Sequence, residues 1–404
     1  MNKPKIVVIG AGFAGLMAVT TLQKELNVQE AEIILVNKHE YHYQRTWLHQ
    51  VAGGTIHPNR VRFEISPLLD KNKVRFVKKT VSKIDTSQKK VIFDNQEELS
   101  YDYLVVALGG EQEEYGIKGI DEYALAISSV NAARGIRNHI EEQFRMYHTH
   151  KNDDNLTIVV GGAGLTGIEF LGELTEWVPK LCRQYHVDQQ KVKYICVQSS
   201  YPLQIFEHDL AEYAVSSLKK KGVQFILGKR IKECKQGSVL IGGHGDDDLE
   251  EIKTGSFIWA AGVRGNKIIE KAGIETVNGR VEVQPDLRVP GFDRLFIIGD
   301  CSVVKDPKTG EPYSPTAQIA LQQGITCAEN IISLVRGEQE LKSFDPHIRG
   351  IVCALGKNNA CGVVYGKKLK GSKALAMKKL IDNRALYMIG GSTLLAKKGR
   401  VSLF

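Results

Sequence analysis

The chain has 404 residues, 43% of them hydrophobic and 25% charged, and a formal net charge of +8. That length accommodates two or three domains with full cores, and the balance is that of a globular chain rather than a disordered one. No apolar run approaches the roughly 18–20 residues of a membrane span, and the first strand begins so early that no signal peptide and no secretion are expected.

The first element is the β-branched run Lys5 to Ile9, which leads directly into Gly10, Gly12 and Gly15 in "KIVVIGAGFAGL". A helix from about Gly15 to Leu26 and the strand "AEIILV" follow. Asn37 stands where a carboxylate often holds a ribose, and Lys38 comes next. They can bond a ribose hydroxyl and a phosphate, or serve as plain turn residues. Short strands in "KVRFVKKTVSKI" and "KKVIFD" precede the buried strand of "YDYLVVALGG", where the chain is expected to cross into a second unit. After a helix from about Ser129 to Tyr147 and the polar loop "HTHKNDDN", the pattern repeats: strand Leu156 to Val160, then Gly162, Gly164 and Gly167. The repeat continues through the strand "KVKYICV", a helix Asp209 to Lys221, the strand "VQFIL" and "GSFIWAAGVRG". The run at 242–251 reads as a solvated hairpin tip, with a calcium loop the remote alternative. "RLFIIGDCS" then returns the chain to the first unit. The expected domains are 1–112 with 283–338, an inserted 113–282, and a C-terminal region 339–404.

Each glycine loop has a physical reading. A buried strand delivers the chain to a turn that glycine alone makes easily. The second glycine lets backbone approach a pyrophosphate, and the third lets the helix pack on the strand with its N-terminal amides facing the phosphates. One such loop is weak evidence of a nucleotide. Two, each between strand and helix, point to electrons passing between two dinucleotides. The seven cysteines (Cys182, Cys196, Cys234, Cys301, Cys327, Cys353 and Cys361) include no C-x-x-C, so reduced core thiols are expected rather than a disulfide framework, a zinc site or a redox dithiol. His39, His42 and His49 cluster without ligand partners at metal spacing, and no metal is expected.

Charge is concentrated at the C-terminal end. From Lys367 to Arg400 there are ten Lys or Arg and one acid, Asp382, a net +9 against +8 for the whole chain. Ala374, Met377, Leu380, Ile381, Ala385 and Met388 fall on one helical face, flanked by Lys378, Lys379, Asp382 and Asn383, with Arg384 in the middle of the stripe. Such a helix suits the headgroup region of an anionic bilayer; the alternative is a core helix with a solvated basic face. No nucleic-acid motif accompanies the basic segment, so nucleic-acid binding is not expected.

Together "VIGAGFAGL", "VNKHEYHYQRTWLHQVAGGT", "GGAGLTGIEFLGEL", "IWAAGVRG", "FIIGDCS", "PTAQIALQQG" and "MKKLIDNRALYMIGG" resemble the type II NADH dehydrogenases, essentially end to end. The resemblance implies an α/β fold of two Rossmann-like dinucleotide-binding domains, like the disulfide-reductase flavoproteins without their redox dithiol. It also implies a C-terminal amphipathic segment anchoring the protein to the cytoplasmic face of the cell membrane. It implies non-covalent FAD held by Gly10, Ala11, Gly12, Phe13, Ala14 and Gly15, by Asn37 and Lys38, and by Thr46, Val81, Asp300, Ala317, Gln318 and Lys378. NADH would lie against Gly162, Gly164, Gly167, Gln198 and Gly262, and a quinone against Gln318, Gln322, Ile381 and Arg384. Glu169 is the implied active-site acid, as proton relay or orienting acceptor; without the resemblance it reads as a helix-dipole carboxylate. Gln198 departs from the family's glutamate, which repels the 2′-phosphate of NADPH, so discrimination between the two donors is in question.

The expected activity is non-electrogenic transfer of two electrons from NADH through FAD to a membrane quinone, menaquinone being the expected one, with a homodimer possible. Competing readings are a sulfide:quinone oxidoreductase, which needs reactive cysteines, and a soluble NAD(P)H–ferredoxin or flavodoxin reductase, which has no use for the apolar C-terminal stripe. A non-catalytic flavoprotein that senses nucleotide is the reading from another class.

Overall fold

A computed structural model describes residues 3–245 and 248–400. Two five-stranded parallel sheets carry it, and they are laid out alike. The first runs Leu295–Ile297, Tyr103–Val106, Lys5–Ile9, Glu32–Asn37, Val74–Lys78. The second runs Leu125–Ala126, Ser256–Trp259, Thr157–Gly161, Lys193–Gln198, Val223–Leu227. In each, the strand feeding a glycine loop is central and wholly or almost wholly buried, as continuous Val/Ile runs require when helices cover both faces of a sheet. Each sheet is accompanied by a three-stranded antiparallel sheet, Val81–Asp85 with Lys90–Phe93 and Glu98–Ser100, or Arg230–Lys235 with Ser238–Gly242 and Glu250–Lys253. The expected hairpin is therefore Ser238–Lys253; Asp246 and Asp247 of its tip lie outside the described residues.

The helices after the loops are Phe13–Glu25 and Leu165–Tyr185. The first begins two residues earlier than the sequence suggests, because Gly12 and not Gly15 is its N-cap. It packs along the helix Ala317–Val335, and Gly324 sets how closely: a Cβ there would stand 2.4 Å from the Ala14 carbonyl oxygen. The expected helix at 129–147 is Val130–His150, with the Ser129 hydroxyl accepting from the Ala132 N–H as its cap.

A third sheet, Gly350–Ala354, Ala360–Val364 and Lys367–Lys370, packs under the C-terminal helix Gly371–Lys398. It also meets the helix Leu165–Tyr185, where a Cβ on Gly172 would lie 2.7 Å from the Gly356 nitrogen. The C-terminal helix corrects the sequence reading. Its buried positions are Ala374, Lys378, Asp382, Leu386, Ile389 and Leu394, so two charged residues expected on the flank face inward. Leu380 is 46% exposed, Tyr387 57%, and Arg384, read as lying inside an apolar stripe, is exposed between them. The helix turns inward the face whose charges find partners elsewhere in the fold, which apolar periodicity does not register. It also breaks at Gly390 and Gly391, where φ of the latter is +62°.

Candidate active site

Both glycine loops form open cradles. Gly10 and Gly162 have φ of +100° and +106°, and Cβ atoms on Gly15 and Gly167 would meet the carbonyl oxygens of Gly10 and Gly162 at 1.9 and 2.0 Å. Those four glycines are needed by the turn and the helix packing. The middle ones are different: Cβ atoms built on Gly12 and Gly164 meet nothing within 4 Å. Each of these is the N-cap of its helix, with no capping side chain and no acid in the first turn. Uncapped amides beside open space form a site for the negative oxygens of a pyrophosphate. The two cradles match in a further detail. The Ala11 N–H donates to Asn37 Oδ1 at 3.1 Å, and the Ala163 N–H donates to Gln198 Oε1 at 2.8 Å. The Gln198 amide also donates to the Ser200 hydroxyl, so its orientation is fixed at both ends.

The second loop's helix carries Glu169 into the interior, where three other segments converge on it. Oε1 accepts from Lys378 Nζ at 2.7 Å and from the Ala354 N–H at 3.0 Å; Oε2 lies 3.3 Å from His49 Nδ1. Burial alone would raise this carboxyl, but His49, Lys378 and the Ala354 N–H outweigh it and hold it below the usual range. Lys378 shows the same balance: burial disfavours its charge, yet Glu169 and Asp382 push its pKa up. Burial takes His49 down to about 4, against the pull of the Glu169 charge, so at neutral pH the ring is uncharged. Its Nε2 is buried with no hydrogen-bond partner among the described residues.

Glu173 lies one helical turn further on, accepting from the Thr55 hydroxyl and, at 3.4 Å, from the Gln50 amide. Burial raises its pKa, as does the charge of Glu169. Asp382, one turn beyond Lys378, is also raised by burial, against the opposing pull of Lys378 and Arg400. Arg400 donates to Gln50 Oε1 and rests 4.2 Å from the centroid of the Trp47 ring. Of the three buried carboxyls, Glu169 is pushed towards its charged form and Glu173 and Asp382 away from it, while Lys378 is pushed towards its charged form.

Residues 4–324 match the family model described as pyridine nucleotide-disulphide oxidoreductase. The chain is 43% identical over 402 residues to a type II NADH:quinone oxidoreductase of Staphylococcus aureus, covering 99% of both. The chain belongs to the type II NADH:quinone oxidoreductase family. Among solved structures it resembles NDH2 from Plasmodium falciparum in complex with NADH, at a TM-score of 0.87 and 17% identity over 98% of this chain and 97% of that one. The sulfide:quinone oxidoreductase of Aquifex aeolicus has a TM-score of 0.78 at 18% identity, covering 96% and 91%. At those identities the likeness is one of fold.

The other residues expected in a type II site are distributed as follows. Asp300 lies in the turn Gly299–Cys301, its carboxylate 4.0 Å from Arg45, which also donates twice to the Gly110 carbonyl. Thr46 is half-buried in the short turn Arg45–Trp47, Val81 opens its strand, and Lys38 is exposed. Ala317 begins a helix capped by Thr316. Gln318 and Gln322 bind backbone: their side-chain oxygens accept from the Arg349 and His347 N–H groups at 2.9 and 2.8 Å. Ile381 packs with the third sheet's apolar cluster, while Arg384 stands near Arg349 and Tyr365. Gly262 has φ +79° and faces the Tyr115 ring. Lys378 is brought together with Glu169; Ile381 and Arg384 lie on other sides of that same helix. His49, Gln50, Thr55, Glu173 and Arg400 were missed in the sequence. Only Glu173 carried a local signal, the i,i+4 spacing that puts it on the face of Glu169.

Proposed function

We propose that this chain oxidises NADH and reduces a membrane quinone through non-covalently bound FAD, at the cytoplasmic face of a membrane and without pumping protons. What carries the reading is the pair of matched, uncapped cradles with a buried, ionised Glu169 on the helix that leaves the second. FAD, when bound, supplies the acceptor for a hydride and the donor of two electrons. The loop from Gly10 to Gly15 would hold its pyrophosphate, with Asn37 and Lys38 at the ribose, Val81 at the adenine and Asp300 at further hydroxyls. Thr46, Ala317, Gln318 and Lys378 would complete that site. Gly162, Gly164, Gly167, Gln198 and Gly262 would hold NADH.

Glu169 serves as the local proton carrier, because reducing a quinone consumes two protons and a buried carboxylate can hold and release them. Lys378 keeps the carboxylate ionised, and the neutral His49 ring lies against its second oxygen. Gln318 and Gln322 fix the backbone at 347–349, which with Ile381 and Arg384 forms the proposed approach for the quinone; menaquinone is the proposed acceptor. The exposed Leu380 and Tyr387, with Arg384 between them, give the helix a face suited to the headgroup region, and among the described residues no helix is long and apolar enough to cross a membrane. The sulfide reading lacks support. All seven cysteines are buried and free, and burial raises Cys353 well above the usual thiol range and takes Cys361 up to about 12, which leaves no ready thiolate.

The test is anaerobic. NADH added to purified protein should bleach the flavin absorbance promptly, and menaquinone should restore it. A yellow protein that NADH leaves unbleached would overturn the proposal.

A further inference from the structure

The break at Gly390–Gly391 directs the end of the C-terminal helix across the segment 59–68, and an open groove of about 640 Å³ lies between them. Its floor is apolar: Phe63, Leu68 and Leu394 line it, and Gly390 is seated so closely that a Cβ there would touch Leu68 and Leu394. Its rim is basic. Arg62, Lys397 and Lys398 line the groove, and Arg60 is near enough to act on the Lys398 charge. Among the described residues none of these four cations has a carboxylate within ion-pair distance. Lys398 instead donates to the Asn59 carbonyl at 2.8 Å, and Arg62 to the Asn59 side chain, with its guanidinium 5.4 Å from the Tyr41 ring centroid. Two acids also line the groove, but Glu40 is paired with Lys78 at 3.0 Å and Glu64 is exposed.

Like charges held together with no carboxylate in ion-pair reach cost stability, and burial and the neighbouring arginines already push the Lys398 pKa down. An anion among them would relieve that repulsion, and an attached hydrocarbon chain would cover the floor. We propose that this groove binds the headgroup phosphate of a single anionic phospholipid, with an acyl chain along Phe63, Leu68 and Leu394. Neither Glu169, the loop glycines, Leu380 nor Tyr387 lines the groove. The inference rests on the reading of the C-terminal region as membrane-facing and adds to it a defined, saturable site.

Short-chain phospholipids kept below their micelle concentration test the groove without a membrane. Full-length flavin-loaded protein is titrated calorimetrically with dihexanoyl-phosphatidylglycerol, dihexanoyl-phosphatidylcholine and inorganic phosphate. The expected result is one site per chain, at least tenfold tighter for the phosphatidylglycerol than for either other probe. The R62Q/K398Q double variant should weaken that binding at least tenfold while flavin content and NADH oxidation are retained. Equal binding of the two lipids would overturn the proposal, as would equal competition by phosphate or unchanged binding by the variant. Should that variant fold poorly, K397Q alone is expected to weaken phosphatidylglycerol binding severalfold, and no change would count against the site. Vesicle co-sedimentation run in parallel reports on membrane association itself, so failure of the groove and failure of the membrane reading give different results.

Discussion

Glu169 is a carboxylate that the fold keeps charged where water would normally be needed to do so. The ion pair with Lys378 and the Ala354 N–H supply what solvent cannot, so losing a partner costs more than the pair's net contribution. Glu169→Gln keeps the shape but removes the proton-holding charge. Turnover with quinone should fall on the order of 10²-fold with flavin retained, as steady-state kinetics beside a flavin spectrum will show. Unchanged turnover would reduce Glu169 to a structural acid. The pH dependence of stability follows from the same cluster. His49 is held at about 4, below its unfolded value of 6.5, so the unfolded chain binds more protons between those values. Its contribution is therefore fully present above pH 6.5 and is lost as pH falls towards 4. Glu169, lowered from 4.5, adds a loss of the same sign below that value, whereas Glu173 and Asp382, both raised, act in the opposite sense in acid. His49→Gln should flatten the fall in melting temperature between pH 6.5 and 4.5, and calorimetry across that range checks it. Glu169 was visible in the sequence by resemblance; its ionisation was not, because its partners come from positions 49, 354 and 378.

At the scale of elements, the C-terminal helix shows how far periodicity carries. The sequence indicates a basic amphipathic helix, and a helix is present. The inward face differs, since Lys378 and Asp382 turn towards Glu169 and Arg400 while Leu380 and Tyr387 point out. Deleting the whole region would therefore remove Lys378 and expose Glu169 at the same time, mixing anchoring with catalysis. L380S/Y387S is the cleaner change. Two exposed apolar side chains contribute roughly 1–3 kcal/mol each to burial in the interface, so co-sedimentation with anionic vesicles should fall at least tenfold. NADH oxidation with a soluble quinone should stay near its starting rate. Vesicle binding that does not change would place the contact face elsewhere.

Across the whole molecule, the two parallel sheets repeat one plan, with matching order in the four strands around each glycine loop, matching open glycines and matching amide bonds to Asn37 and Gln198. The repeat lets the two cradles be assigned separately. Because a Cβ at Gly12 or Gly164 meets nothing in the protein, alanine at either should fold and should obstruct only what enters the cradle. Gly12→Ala is expected to yield protein with little flavin, seen as lost visible flavin absorbance. Gly164→Ala should keep flavin and raise the KM for NADH about tenfold or more. The opposite pattern would exchange the two assignments. A related change, Gln198→Glu, keeps an acceptor for the Ala163 N–H and adds a charge opposing a 2′-phosphate. The NADH-over-NADPH ratio of kcat/KM should then rise about tenfold.

The sequence by itself determined the doubled α/β plan, the loops and the existence of the C-terminal helix, because strand hydrophobicity, glycine spacing and helical charge are properties of contiguous residues. Only the tertiary structure decided that His49, Gln50, Thr55, Ala354, Lys378 and Arg400 surround Glu169 and Glu173, and which face of the last helix is buried. Those outcomes depend on the cost of a buried charge and on the partner that offsets it. That partner is brought close by the packing of elements far apart along the chain, and local pattern carries no record of it.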